Sequence, residues 1–209
     1  MEIIMIAIID YGVGNIFSLC SSFKYIGADI ELTSDVDTIR RADKIIFPGV
    51  GAFRDAEAKL RASGLDKVVI EEAKSGKPFL GICLGMQMML TKSFEFGEYD
   101  GLNIIPGSVV PIEGVIPCDY KIPHIGWNKL IFPKDKPKSP IFKYVNEGEH
   151  VYFVHSFYCT DCDKNTIAST EYGATLTAAV ADKNVFGVQF HPEKSGETGL
   201  NILRAFNEL

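Results

Sequence analysis

Cys83 is the residue around which covalent chemistry can be built. Within Phe79 to Leu90, read Phe-Leu-Gly-Ile-Cys-Leu-Gly-Met-Gln-Met-Met-Leu, an apolar run ends at the cysteine and a helical run begins after it. Gly81 and Gly85 stand two residues to either side. This Gly-x-nucleophile-x-Gly spacing marks a sharp strand-to-helix elbow, here carrying sulfur instead of a serine oxygen. Such a turn strains the nucleophile backbone, tolerates only small neighbours, and lifts the thiol to the top of a sheet. It also sets the thiol at a helix N-terminus, where the dipole and free N–H groups favour the thiolate. The plainer alternative is a small buried cysteine between a core strand and a Met-rich helix.

A cysteine nucleophile needs a base, and the base needs an orienting acceptor. The chain holds four histidines, His124, His150, His155 and His191. His191 follows the strand-like run Val185 to Gln189, and Pro192 and Glu193 come directly after it. A strand end carrying His-x-Glu puts imidazole and carboxylate on the same side. One ring nitrogen can then be held while the other faces the thiol. A surface turn with incidental polar groups is the competing reading. Acyl transfer further requires N–H groups aimed at the developing oxyanion. Leu84 supplies one by following the nucleophile, and Pro48-Gly49-Val50-Gly51 is a turn whose glycines allow a second.

The elements that must position these groups follow from apolar periodicity. Strands are expected at Ile6 to Asp10, Asp29 to Leu32, Lys44 to Phe47 and Phe79 to Ile82. Helices are expected from Ile16 to Ile26, Arg54 to Ser63 and Leu65 to Ser75. This alternation argues for an α/β fold with a mostly parallel central sheet flanked by helices. The second half carries short apolar runs with few helices between them: Ile104 to Val110, Lys129 to Phe132, Val151 to His155, Ile167 to Tyr172, Leu176 to Ala181 and Val185 to Gln189. They predict a smaller antiparallel sheet. A last helix is expected from Thr198 to Glu208. With no repeat or linker, residues 1–209 read as a single domain.

Composition narrows the function classes. Of 209 residues, 46% are hydrophobic and the net charge is −6, so a core can form and no basic stripe invites nucleic acid. No apolar stretch approaches the roughly 18 residues of a membrane span. The run from Met1 to Asp10 lacks the flank and cleavage site of a signal peptide. Five cysteines at irregular spacing fit a reducing, cytoplasmic setting. Cys159 and Cys162 form a lone C-x-x-C without a second pair, so they read as two loop thiols and no metal site is expected. Trp127, the one tryptophan, is expected in a Gly-Trp-Asn turn, and suits either a docking anchor or a core aromatic beneath a loop.

Gly81-Ile82-Cys83-Leu84-Gly85-Met86-Gln87, with Phe190-His191-Pro192-Glu193 far downstream, resembles the class I (triad) glutamine amidotransferases. Asp10 to Asn15, Pro48 to Gly51, Pro123 to Asn128, Phe153 to Ser156 and His191 to Ser195 narrow the resemblance. Together they are similar to the glutaminase subunits of imidazole glycerol phosphate synthase, over essentially the whole chain. The resemblance implies hydrolysis of glutamine to glutamate and ammonia, in the cytoplasm and without a cofactor. It implies a heterodimer with a (β/α)8-barrel cyclase of histidine biosynthesis, which consumes the ammonia. Cys83 would be nucleophile, His191 the base then acid, and Glu193 the orienting acceptor. Gly49, Val50, Gly51 and Leu84 would serve the oxyanion and substrate. Gln87 and Glu95 would bind glutamine, and His155, Ser156 and Phe157 would border its α-carboxylate. Members of the family often carry tyrosine where Phe157 stands. Asn15, Trp127, Tyr152 and Lys194 would face the cyclase. The same chemistry feeding a paralogous, sugar-amidinating synthase is an alternative, and a stand-alone cysteine hydrolase a more distant one.

Overall fold

The short runs of consecutive apolar residues in the first half become strands buried on both faces, as parallel strands covered by helices must be. The computed structural model describes residues 4–209, so the Met1 to Ile3 portion of the expected N-terminal run lies outside the described residues. In chain order come β1 (Met5–Ile9), α1 (Ile16–Tyr25), β2 (Asp29–Thr33), α2 (Val36–Arg41), β3 (Lys44–Gly49), α3 (Phe53–Ser63), α4 (Leu65–Lys74), β4 (Phe79–Cys83) and α5 (Leu84–Met88). There follow β5 (Lys92–Ser93), β6 (Tyr99–Asp100), β7 (Ser108–Pro111), β8 (His124–Lys129), β9 (His150–His155), β10 (Phe157–Thr160), β11 (Thr166–Glu171), β12 (Thr175–Asp182), β13 (Val185–Val188) and α6 (Gly196–Asn207).

The main sheet has seven strands in the order β11-β12-β13-β4-β3-β1-β2. From β13 to β2 the neighbours run parallel, and β11 and β12 close one side antiparallel. Side chains alternate across it with the two-residue period of a strand. Ala7, Ile9, Ile45, Phe47 and Phe79 join one apolar cluster with residues of α2, α3 and α4. Ile6, Ile8, Ile46, Leu80 and Ile82 join the other, with Leu19 and Phe23 of α1 and Ile202, Leu203 and Phe206 of α6. Two helix-covered faces thus hold the strand ends rigid. A four-stranded sheet, β10-β7-β5-β6, and the antiparallel pair β8-β9 stand beside it.

The differences from the sequence reading have local causes. Apolar periodicity does not announce α2. It lasts six residues, and its start depends on Asp35, whose carboxylate accepts the Thr38 N–H at 2.8 Å. The expected strand at Ile104 to Val110 is limited to β7. The one expected at Lys129 to Phe132 falls largely past the end of β8 and keeps a single bridge, Ile131 to Ser169. The smaller sheet is antiparallel as expected at β10-β7 and β5-β6, while β5 pairs β7 in parallel.

Candidate active site

Three adjacent parallel strands end at the same edge, and each delivers part of the site there. In the register, Gly49 of β3 lies beside Cys83 of β4, and Ile82 lies beside Val188 of β13. Clefts beyond the carboxyl ends of parallel strands are where α/β folds bind ligands.

The elbow at Cys83 takes the strained form its glycines predict. Cys83 has φ 54° and ψ −113°, a conformation that costs a non-glycine residue roughly 1–3 kcal/mol. A Cβ on Gly85 would sit 2.0 Å from the Phe47 carbonyl oxygen, and one on Gly81 would sit 3.0 Å from the Met86 nitrogen. Both positions are therefore closed to side chains by backbone. The helical run after the thiol is shorter than expected. α5 has five residues, so the macrodipole contributes little, and the elbow's chief local contribution is the first-turn N–H of Leu84, which has no partner within the helix.

His191 is fixed from several sides. Its N–H donates to the Tyr152 carbonyl at 3.0 Å, and its own carbonyl accepts the Ser195 hydroxyl at 2.6 Å. Nδ1 lies 2.8 Å from Glu193 Oε1, with both side chains 3% exposed. The remaining ring nitrogen, Nε2, is left for Cys83, and the two residues line the same cavity. Burial pushes the imidazole's pKa down, but the hydrogen bonds and charges of Cys83 and Glu193 outweigh it and carry it up to about 10. Asn15 Nδ2 adds a donor to the same Glu193 oxygen at 3.4 Å, while Glu193 Oε2 is buried without a partner among the described residues.

The other two buried histidines are spoken for. His155 Nδ1 bonds the Phe157 carbonyl at 2.8 Å and its Nε2 faces His124 Nδ1 at 2.9 Å. His124 in turn meets Asn128 Oδ1 at 2.8 Å. Burial pushes His155 down to about 4, so at neutral pH it is no proton donor. His191 is the histidine placed for acid–base work.

A cavity of about 430 Å³ opens over Cys83. Its lining includes every sequence-designated substrate residue except Gly49: Val50, Gly51, Leu84, Gln87, Glu95, His155, Ser156 and Phe157. Gly49 lies just beneath, where a Cβ would come within 2.7 Å of the Gly85 nitrogen. Glu95 Oε2 accepts the Phe53 N–H at 2.7 Å, and burial pushes its carboxyl above the ordinary range. Phe157 turns its ring against Phe96 at 5.6 Å, so a hydroxyl at this position is not needed for packing.

Trp127 is neither in a turn nor in the core. It lies on β8 opposite Tyr152 of β9, 52% exposed, with the two rings edge to face at 6.0 Å. Lys194 reaches over the Tyr152 ring at 5.7 Å and also borders the cavity. Asn15 reaches Glu193. Both cysteines of the C-x-x-C pair are buried thiols, and Cys162 lies in the expected loop, between β10 and β11. Cys159 lies on β10 within the same apolar cluster as Cys162. No group of three or more histidine, cysteine or acidic residues able to hold a metal occurs among the described residues.

Two contributors escaped the sequence reading. Gln189, fully buried, directs its amide at Cys83 Sγ across 3.8 Å. The available signal is a lone polar residue closing the apolar run Val-Phe-Gly-Val. Tyr11 donates its hydroxyl to the Pro48 carbonyl at 2.9 Å, steadying the strand end beside the elbow. In sequence it looks like part of a glycine turn.

Comparison with known proteins agrees with this geometry. The family described as "Glutamine amidotransferase class-I" matches residues 7–208. The chain is 48% identical over 206 residues to the imidazole glycerol phosphate synthase subunit HisH of Caldanaerobacter subterraneus, covering 98% of each. It is 47% identical to the subunit of the same name from Methanothermobacter thermautotrophicus, again covering 98% of each. Among solved structures, PurLQS from Thermotoga maritima matches with TM-score 0.74 at 19% identity, over 97% of this chain and 96% of that one. A putative GMP synthase protein from Thermoplasma acidophilum matches with TM-score 0.71 at 20% identity, over 100% and 94%.

Proposed function

Since the chain belongs to the class I glutamine amidotransferases, we propose that it is the glutaminase subunit of an imidazole glycerol phosphate synthase, working through a Cys83-His191-Glu193 triad. The observation that carries the triad is the 2.8 Å contact of His191 with Glu193 behind a strained Cys83 at the floor of the cavity. The near-full-length relatives carry the choice of pathway.

The Cys83 thiolate attacks the carboxamide carbon of glutamine, and the carbonyl π pair moves onto oxygen. The Leu84 N–H and an N–H of the Gly49–Gly51 turn receive that oxyanion. The oxyanion collapses, the C–N bond breaks, and His191 gives its proton to the departing nitrogen, releasing ammonia. A γ-glutamyl thioester remains on Cys83. His191, now neutral, takes a proton from water. The resulting hydroxide equivalent attacks the thioester, and the C–S bond breaks to give glutamate and the thiolate. Glu193 holds His191 in one orientation throughout. Glu95, with one oxygen occupied by Phe53, offers the other to the substrate's α-amino group. Gln87 bonds the substrate, and the segment His155 to Phe157 borders its α-carboxylate. Gly51 and Val50 close the loop side.

The ammonia passes to a (β/α)8-barrel cyclase docked over Asn15, Trp127, Tyr152 and Lys194. An exposed tryptophan and lysine on either side of a half-buried tyrosine support such a surface. Residues 1–209 act as one domain, in the cytoplasm. No helix among the described residues is long and apolar enough to cross a membrane.

The test is Cys83→Ala in the complex with the histidine-pathway cyclase. Glutamine-dependent synthesis should vanish while synthesis from ammonium salts persists. Wild-type glutamine turnover in that variant would remove Cys83 as nucleophile. A wild-type chain that hydrolyses glutamine but supports no synthesis with this cyclase would redirect the partner assignment.

A further inference from the structure

Polar groups buried beside the nucleophile form a chain whose direction can be worked out atom by atom. The Phe157 carbonyl can only accept a hydrogen bond. Gln87 approaches it at 3.2 Å, so the atom facing it must be the amide nitrogen, Nε2. The second hydrogen of that nitrogen points at the Gln189 side chain, 2.9 Å away. Gln189 must therefore present its oxygen there, which leaves its own Nε2 facing Cys83 Sγ at 3.8 Å. The orientation of both amides, ordinarily ambiguous, is set by one backbone carbonyl. That carbonyl is itself tied by His155 Nδ1 at 2.8 Å.

Gln189 cannot easily turn away. It is fully buried, and its backbone N–H donates to the Ala178 carbonyl at 2.8 Å, extending the edge of β13. Both hydrogens of Gln87 Nε2 are consumed by Phe157 and Gln189, so the atom Gln87 can still offer to the cavity it lines is its carbonyl oxygen. One residue thus bears on two functions at once, the charge on the sulfur and the polarity of a substrate contact.

We infer that Gln189 is a positioning residue for the glutaminase reaction, donating an N–H to the Cys83 thiolate and locking the Gln87 amide with its oxygen toward the substrate. This inference rests on the proposed glutaminase reading and deepens it. The other titratable groups that sense the Cys83 charge, Tyr11 and Cys159, are both pushed up by burial and remain neutral there. Hydrogen bonds to charged groups are worth enough to change a thiolate population by about 10- to 100-fold.

The test uses the whole chain and reads Cys83 directly. Alkylation by iodoacetamide at neutral pH is followed on the Cys83 peptide by mass spectrometry, because Cys118 is exposed and Cys20 partly so. In Gln189→Glu the Gln87 amide still holds one carboxylate oxygen, so the other faces the sulfur as an acceptor. Alkylation should slow by ~100-fold, and by ~10-fold in Gln189→Met, where only the donor is lost. In the complex, kcat for glutamine should fall in both. The KM should rise as well, because Gln87 is released, and ammonium-dependent synthesis should be unchanged. Folded variants with wild-type alkylation rates overturn the inference. If neither variant folds, the wild-type chain decides. The Gln189 side-chain amide resonances, assigned through their contacts to Gln87, should move when Cys83 is alkylated, and resonances that stay put refute the contact. Glutamine turnover is a separate readout. A wild-type complex that hydrolyses no glutamine defeats the glutaminase reading, whereas the alkylation arm contains no glutamine and still reports on Gln189.

Discussion

Replacing Glu193 by glutamine separates the charge of the orienting acceptor from its shape. Oε1 accepts from His191 Nδ1 at 2.8 Å and from Asn15 Nδ2 at 3.4 Å. Two donors converge on that atom, so a glutamine should leave its oxygen there and carry its amide nitrogen where Oε2 now lies. That site has no hydrogen-bond partner among the described residues. The triad geometry is kept while the negative charge is lost and an unsatisfied donor is buried. Exchanging a charged for a neutral hydrogen bond costs about 1–2 kcal/mol. The full Coulomb interaction at about 4 Å and an effective dielectric of about 20 sets a ceiling of ~4 kcal/mol. The expected loss in kcat/KM therefore lies between about 10- and 1,000-fold. His191→Ala removes proton transfer from both half-reactions and should reach about 10,000-fold. The sign in pH is also fixed. The folded imidazole lies at about 10 because Cys83 and Glu193 oppose the lowering effect of burial. That raised value means the imidazolium favours the folded state below its unfolded pKa, and this contribution is lost as pH rises toward 10. Glu193→Gln should bring the His191 titration down, and with it the alkaline limb of the glutaminase pH profile. Imidazole NMR and steady-state assays of the complex measure both. A variant within threefold of wild type, or one as damaged as His191→Ala, would refute this account of Glu193.

Gly85→Ala should be far worse than a surface alanine, because its methyl would lie 2.0 Å from the Phe47 carbonyl. Overpacking of this kind costs about 1–3 kcal/mol, and the displaced elbow should lose about 100-fold in glutamine turnover, read by thermal melts and ammonia release. Trp127→Ala should weaken cyclase binding by about 2 kcal/mol or more, measured by calorimetry, with the chain's own melting temperature little changed because the ring is half exposed. The free chain should turn over glutamine poorly and be activated by the cyclase, by roughly 100- to 1,000-fold if docking brings in one oxyanion donor. Gly51→Ala is the cleaner probe of that loop, having open space but φ +93°, whereas alanine at Gly49 would collide with the Gly85 nitrogen. Activation that survives Gly51→Ala unchanged would place the switch elsewhere.

The elbow and the His-x-Glu pair were legible because their chemistry is written at short spacing. Gly81, Cys83 and Gly85 lie within five residues, and His191 and Glu193 within three. The parallel sheet was legible for a similar reason, since β1 and β4 are apolar runs and β3 is one after its first residue, Lys44. Gln189 was not, because its meaning depends on a side chain 106 positions away and on which end of an amide points at sulfur. Trp127 was ambiguous because exposure is a property of β8 paired with β9, not of a tripeptide. The helix α2 was invisible to periodicity, being shorter than two turns and announced only by Asp35. Cys159 of the C-x-x-C pair was misplaced because its burial comes from the pairing of β10 with β7.

The position of β13 bears on how the enzyme is made. It is the last strand of the chain, yet it sits in the middle of the sheet, between β4 and β12. During synthesis Cys83 leaves the ribosome more than a hundred residues before His191 and Glu193 do. Until β13 is inserted, the nucleophile has neither base nor carboxylate, and β4 lacks its neighbour. No nascent or prematurely terminated chain ending before Glu193 can hold the complete triad. A chain that stops before Glu193 therefore has no competent site with which to squander a cell's glutamine.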